Sequence, residues 1–113
     1  MPDDRAGQRL CVYVSEGLHW QGTPVAQAIV RRARELGVAR VTVLRGIEGY
    51  GANRRVHARR LVEVDGDLPL VVEAVDQPEA IGRLLAEVEA MVSEGLVTLE
   101  DIGMVQQRRP PAP

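Results

Sequence analysis

Two stretches of helical period, each set between strand-like runs, constrain this chain more than any other feature. In the first, Val25, Ile29, Ala33 and Leu36 share a face, while Arg31, Arg32 and Arg34 take the wet side. In the second, Ile81, Leu84, Leu85, Val88, Met91 and Val92 recur at helical spacing. Thr23 reads as the N-cap of the first helix, with Pro24 at its first helical position and Gly37 as its stop. Asp76 reads as the cap of the second, with Glu79 completing a capping box and Gly95 ending the segment. Residues 9–15 alternate with period two: Leu10, Val12 and Val14 face one way, and Arg9, Cys11, Tyr13 and Ser15 the other. A second strand starts near Arg40. A third, nearly continuous aliphatic run spans residues 68–75, with Pro69 as its first residue. The last strand lies within residues 96–105, with Glu100 and Asp101 marking a bend.

The order is strand, helix, strand, long arm, strand, helix, strand. That order predicts an α+β, ferredoxin-like βαββαβ domain: a four-stranded antiparallel sheet, two helices on one face and a long loop after the second strand. Two helices cannot hide Tyr13, Val41, Val43, Val71 and similar residues together, so association through the sheet is expected. The length of 113 residues argues for one domain, placed at residues 9–105 between a flexible N-terminus (1–8) and a disordered, proline-rich tail (106–113). Phe is absent and there is one Trp, so the core must be aliphatic.

The chemistry concentrates in residues 43–60. A buried-looking strand end meets Gly46, Gly49 and Gly51, followed by Arg54, Arg55, His57, Arg59 and Arg60. Glycine lets backbone amides approach an anion closely, and arginine forks neutralise it. The competing reading is a solvated loop whose charge offsets acidic helix faces. Residues 61–64 alternate again and extend the arm; residues 65–67 form a turn. All basic residues are Arg, which reflects base composition in the first place and would also suit phosphate or carboxylate recognition.

Other chemistries have weaker support. Cys11, His19 and His57 share no local spacing for a nucleophile or a metal, so neither an enzyme nor a metal site is expected. His19 and Trp20 fall in a loop over residues 16–22 and are candidates for ligand contact or for an ordinary loop with a partly buried Trp. A net charge of −2 and few aromatics argue against a nucleic-acid partner. A lone Cys, no apolar run of membrane-spanning length and no secretory pattern in residues 1–8 predict a cytoplasmic protein.

Four blocks resemble the PII-like superfamily, and more closely the bacterial domain-of-unknown-function family number 190. They are residues 33–37 (ARELG), 42–51 (TVLRGIEGYG), 67–73 (DLPLVVE) and 95–101 (GLVTLED). The resemblance implies a non-enzymatic signalling protein, a homotrimer that binds an adenine nucleotide in clefts between subunits at the base of a T-loop. Gly49-Tyr50-Gly51 matches the Gly-aromatic-Gly that opens that loop. Taken together with the glycine and arginine pattern above, it leads to an expected ligand-binding set of Arg45, Gly46, Gly49, Tyr50, Gly51, Asn53, Arg54, Arg55, His57 and Gly95. Two departures bear on the ligand. Ala52-Asn53 stands where PII has Arg-Gln, and Leu96 follows Gly95 where PII has a phosphate-binding lysine. Arg108 and Arg109 fall roughly where PII carries C-terminal phosphate-binding arginines. The family association with fluoride-exporting channels implies an alternative: docking to a membrane channel or transporter without nucleotide binding.

Overall fold

The computed structural model describes residues 5–50 and 68–107. In chain order these form β1 (Ala6–Ser15), β2 (His19–Trp20), β3 (Thr23–Pro24), α1 (Val25–Leu36), β4 (Arg40–Arg45), β5 (Pro69–Asp76), α2 (Pro78–Met91) and β6 (Leu96–Gly103). The four long strands make one antiparallel sheet in the order β4-β5-β1-β6, and β2 pairs with β3 as a separate short hairpin. Each helix connects two strands that flank a third, which is the split arrangement expected from the sequence.

The core is aliphatic. Leu10, Val12, Ile29, Val72, Ile81, Leu84 and Val88 are fully buried between the helices and one face of the sheet. The face of α1 is made by Val25, Ala26, Ala28, Ile29 and Ala33, and that of α2 by Ile81, Leu84, Val88 and Met91. No polar or charged side chain is buried among the described residues, so apolar packing alone fills the interior.

Several local expectations are corrected. β1 begins at Ala6, inside the stretch read as flexible: Ala6, Gly7 and Gln8 pair with Gly103, Ile102 and Asp101 of β6. Gly and Gln carry no alternation, so only the partner strand reveals them. The 16–22 loop contains a strand, because Trp20 pairs with Thr23 across a two-residue turn at Gln21 and Gly22. Both turn residues have positive φ (50° and 80°), as a type I′ hairpin requires. Thr23 is therefore not the cap of α1. Pro24 holds that position without a side-chain hydrogen bond, and the first helical amide, Val25 N–H, donates to Leu18 O at 2.8 Å instead.

Asp76 does not cap α2 either. It ends β5, where Oδ1 accepts from Gln77 N–H at 2.7 Å and Oδ2 from Ala39 N–H at 2.9 Å. Its carboxylate ties the start of α2 to the segment entering β4, and Gln77 holds the cap position with no side-chain bond. Glu100 and Asp101 mark no bend. They lie within β6, where Arg9 Nε donates to Glu100 at 2.9 Å and Gln8 Nε2 to Asp101 at 3.1 Å. Complementary groups directly across a ladder stabilise it. Gly37 stops α1 as expected, at φ 80° with its N–H on the Ala33 and Arg34 carbonyls.

The register sorts the sheet into two faces. Val41 pairs with Ala74 and Val43 with Val72, so both belong to the helix side rather than the open one. Val41 packs against the core, while Val43 is 43% exposed near the sheet edge. On the open face, Leu44, Val71, Tyr13 and Leu96 form one continuous cross-strand row. Leu44, Tyr13 and Leu96 are exposed there.

Candidate functional site

The described candidate residues lie at the end of the sheet where β1 and β4 finish and β5 and β6 begin. The residue set Gly51, Asn53, Arg54, Arg55 and His57 lies outside the described residues, as do the arm residues 61–64, the turn 65–67, and Arg108 and Arg109. Arg45, Gly46, Gly49, Tyr50 and Gly95 are described.

The base of the arm is held by backbone bonds on both sides. Gly46 N–H donates to Pro69 O at 2.8 Å, closing the β4–β5 pair, and Glu16 N–H donates to Leu68 O at 2.8 Å. A Cβ on Gly46 would stand 2.8 Å from Pro69 Cγ, and one on Gly49 3.3 Å. These glycines thus let the chain lie against the Pro69 ring. Ile47 and Tyr50 beside them are 74% and 66% exposed, large apolar surface at the mouth of the arm.

Arg45 is not a free cation. Its Nη2 lies 2.9 Å from Glu16 Oε2 and 3.2 Å from Oε1. Glu16 is a functional candidate the sequence reading passed over, because the pair joins positions 29 residues apart. Only the register reveals it. Arg45 pairs with Leu70, Leu70 with Val14, and Glu16 lies two residues beyond Val14.

Gly95 sits elsewhere. It precedes Leu96, which pairs with Tyr13, so it lies beyond β1 on the side away from β4. Three strand spacings, about 14 Å, separate it from Arg45. Its φ is 156°, and a Cβ there would fall 2.5 Å from Tyr13 O, a backbone atom in the middle of the sheet. Within one chain, Arg45 and Gly46 therefore do not share a pocket with Gly95.

The side chains of His19 and Trp20 diverge. His19 Nδ1 is 2.8 Å from Gly17 O, a contact that places the proton on Nδ1. Trp20 lines a groove of about 460 Å³ beside α1 and α2, with Gln21, Thr23, Arg31, Arg32 and Glu87 among its walls. Arg32 is bonded there to Glu87 at 2.9 Å and to Glu35 at 3.1 Å. These hydrogen bonds and charges raise the pKa of its guanidinium. Two arginines and two glutamates leave the groove without net charge.

Cys11 occupies the open-face row between Glu73 and Thr98 yet is only 7% exposed. Burial, and then the Glu73 carboxylate, push its thiol above the ordinary value. That is the reverse of what a nucleophilic cysteine needs. No group of three or more metal-ligating side chains occurs among the described residues. No helix among them is long and apolar enough to cross a membrane.

A four-stranded antiparallel sheet in this order, with two helices packed on one face, is the ferredoxin-like α+β fold, and solved PII-like proteins share it. A protein of Thermus thermophilus described as PII-like superposes with a TM-score of 0.64 at 14% identity, over 88% of this chain and 90% of the other. CPII, a nitrogen regulatory PII-like protein from Thiomonas intermedia K12 bound to ADP, AMP and bicarbonate, superposes at 0.60 with 21% identity, over 88% of each chain. At these identities the likeness is one of fold. Residues 7–104 match the family DUF190, described as Uncharacterized ACR, COG1993, and the chain belongs to that family. A UPF0166 protein of Aquifex aeolicus (strain VF5) is 35% identical over 96 residues, 85% of this chain and 90% of that one. A UPF0166 protein of Methanocaldococcus jannaschii is 31% identical over 93 residues, 81% of this chain and 85% of the relative.

Proposed function

We propose that this chain is a non-enzymatic, cytoplasmic PII-like regulatory protein. It senses a small anionic ligand, best read as an adenine nucleotide, in clefts between the subunits of a homotrimer. The observation that carries this reading is the split of the site. Arg45 and Gly46 stand at one side of the sheet end, and Gly95 stands about three strands away. A cleft between two copies brings such separated elements together, whereas one copy does not. The exposed open-face row of Leu44, Tyr13 and Leu96 supplies apolar surface for that assembly. CPII, which shares the fold, is bound to ADP, AMP and bicarbonate, which favours a nucleotide over other anions. The remaining members of the proposed binding set are Gly49, Tyr50, Gly51, Asn53, Arg54, Arg55 and His57.

The test is calorimetric titration with AMP, ADP, ATP and cyclic dinucleotides, with and without bicarbonate, alongside light scattering for mass. The expected result is binding tighter than millimolar by a particle three times the chain mass. No binding in that range removes nucleotide sensing; a stable monomer removes the cleft between subunits.

A second reading has its own observation. Ile47 and Tyr50 expose large apolar surface at the arm base, which suits docking to a protein such as a membrane channel or transporter, fluoride export included. Pull-down with residues 52–62 deleted separates the two. Loss of partner capture with nucleotide binding retained favours docking.

A further inference from the structure

The ion pair where β1 and β4 end bears on which anions the site accepts. Glu16 contacts Arg45 through one nitrogen, Nη2, with its two oxygens at 2.9 Å and 3.2 Å. This is not the fork-to-fork arrangement in which two guanidinium nitrogens each meet a carboxylate oxygen. Among the described residues, Nε and Nη1 of Arg45 have no other partner. Arg45 is about half exposed, with a side-chain value of 52% against 28% for Glu16. The acid is thus the more sheltered member, and its own backbone N–H is fixed on Leu68 O. The cation keeps a solvent-facing edge for a ligand, while a fixed negative charge stands behind it.

We propose that Glu16 is a specificity-determining residue of the anion site: a resident counter-anion that lowers the affinity of every anion reaching Arg45. The proposal rests on the anion-sensing reading above. A singly charged anion gains one favourable contact with Arg45 and meets the repulsion of Glu16 almost in full. Each further charge on an anion meets the same repulsion, so an anion keeps a net gain only where it also makes contacts away from Glu16. The resident carboxylate therefore filters against chloride-like and acetate-like solutes, whose contact here is with Arg45 alone, and leaves larger anions that make contacts beyond it. Glu48, which lies between Gly46 and Gly49, adds a second negative charge along the same segment. Arg45 is thus the one cation among residues 45–50 and their immediate partners Glu16, Leu68 and Pro69.

The test uses the full chain and two probes, ADP and acetate, titrated by calorimetry at fixed pH and about 0.1 M ionic strength, near a 10 Å screening length. Glu16→Gln is expected to tighten ADP about threefold to fivefold, the range of a partly exposed charge pair. The same variant is expected to bring acetate binding into measurable range. Glu16→Asp keeps the charge and is expected to stay within about twofold of the parent. A thermal melt of each variant separates folding from binding. In the Glu16→Gln background, Arg45→Gln is expected to cost more ADP affinity than it does in the parent, a coupling that a merely structural role would not produce. Unchanged or weaker ADP binding by a folded Glu16→Gln overturns the proposal and leaves anion sensing intact. Absence of ADP binding by both parent and variant overturns the sensing reading and this proposal with it.

Discussion

Gly95→Ala tests whether Gly95 serves the architecture as well as any ligand. The Cβ of an alanine at this position falls 2.5 Å from Tyr13 O, 3.1 Å from Val14 Cγ1 and 3.3 Å from Val92 Cγ1. The first contact is decisive, because it is with backbone in the strand that both β5 and β6 bond to. Tyr13 cannot move without disturbing its pairs with Val71 and Leu96. The start of β6 must then swing away from β1. Positive φ adds to the cost. Strain at such a residue and overpacking of this kind each cost about 1–3 kcal/mol, so a loss of about 2–4 kcal/mol is expected. That is a large part of the stability of an ordinary domain, roughly 5–15 kcal/mol. Urea denaturation with the slope held common to both proteins gives the difference directly. Gly82→Ala is the internal reference. Gly82 lies inside α2, and a methyl there would meet nothing within 4 Å, so alanine is expected to stabilise by about 0.5–1 kcal/mol. A folded Gly95→Ala within about 0.5 kcal/mol of the parent, the scatter of neutral surface changes, would refute the close-approach argument.

Two further outcomes follow from the same kind of reading. Gln21 sits at φ 50° in the hairpin turn without being Gly or Asn, so Gln21→Gly is expected to raise stability by up to about 1 kcal/mol, read as a higher denaturation midpoint. The raised Cys11 pKa fixes a sign with pH. The unfolded chain loses its thiol proton first, so the native state loses stability as pH rises through the unfolded value near 9. Alkylation by iodoacetamide is expected to be slower in the native protein than in the unfolded one at about pH 8, just below the ordinary thiol pKa, and equal rates would contradict the burial argument.

The fold was legible because its signals are local and repeated. The apolar faces of α1 and α2 follow helical period, and the alternation of Leu10, Val12 and Val14 marks the core side of β1. Gly37 stops a helix by a conformational need that acts within one turn. The misread positions are those whose partner is distant in sequence. Thr23 looks like a cap because Thr-Pro before an apolar period usually is one. Here Trp20 takes Thr23 into a hairpin, and Leu18 O occupies the amide that a cap would serve. Asp76 looks like half of a capping box, but Ala39, 37 residues earlier, claims its second oxygen. Glu100 and Asp101 read as a bend because two adjacent acids disfavour a strand, until Arg9 and Gln8 appear opposite them. Glu16 escaped notice for the same reason: an acid after a strand means little until register sets it beside Arg45.

Glycine has more than one use at this end of the sheet, and packing accounts for most of it. Gly46 and Gly49 lie against the Pro69 ring, so their missing side chains are explained before any anion is considered. Gly95 is explained by the Tyr13 carbonyl. A glycine-rich segment beside arginines suggests a phosphate cradle, yet Gly46, Gly49 and Gly95 are accounted for by the neighbours a side chain there would meet. The case for a ligand must therefore stand on charge and on separation. Charge places Arg45 against Glu16, with Nε and Nη1 directed to no other described partner. Separation leaves Gly95 about 14 Å from that cation within one chain. A single sheet cannot close that distance without breaking its register, because each strand between them is fixed by pairs on both sides. If Arg45 and Gly95 serve one ligand, the second surface must come from another copy. The exposed row of Leu44, Tyr13 and Leu96 on the open face offers apolar area for such a contact.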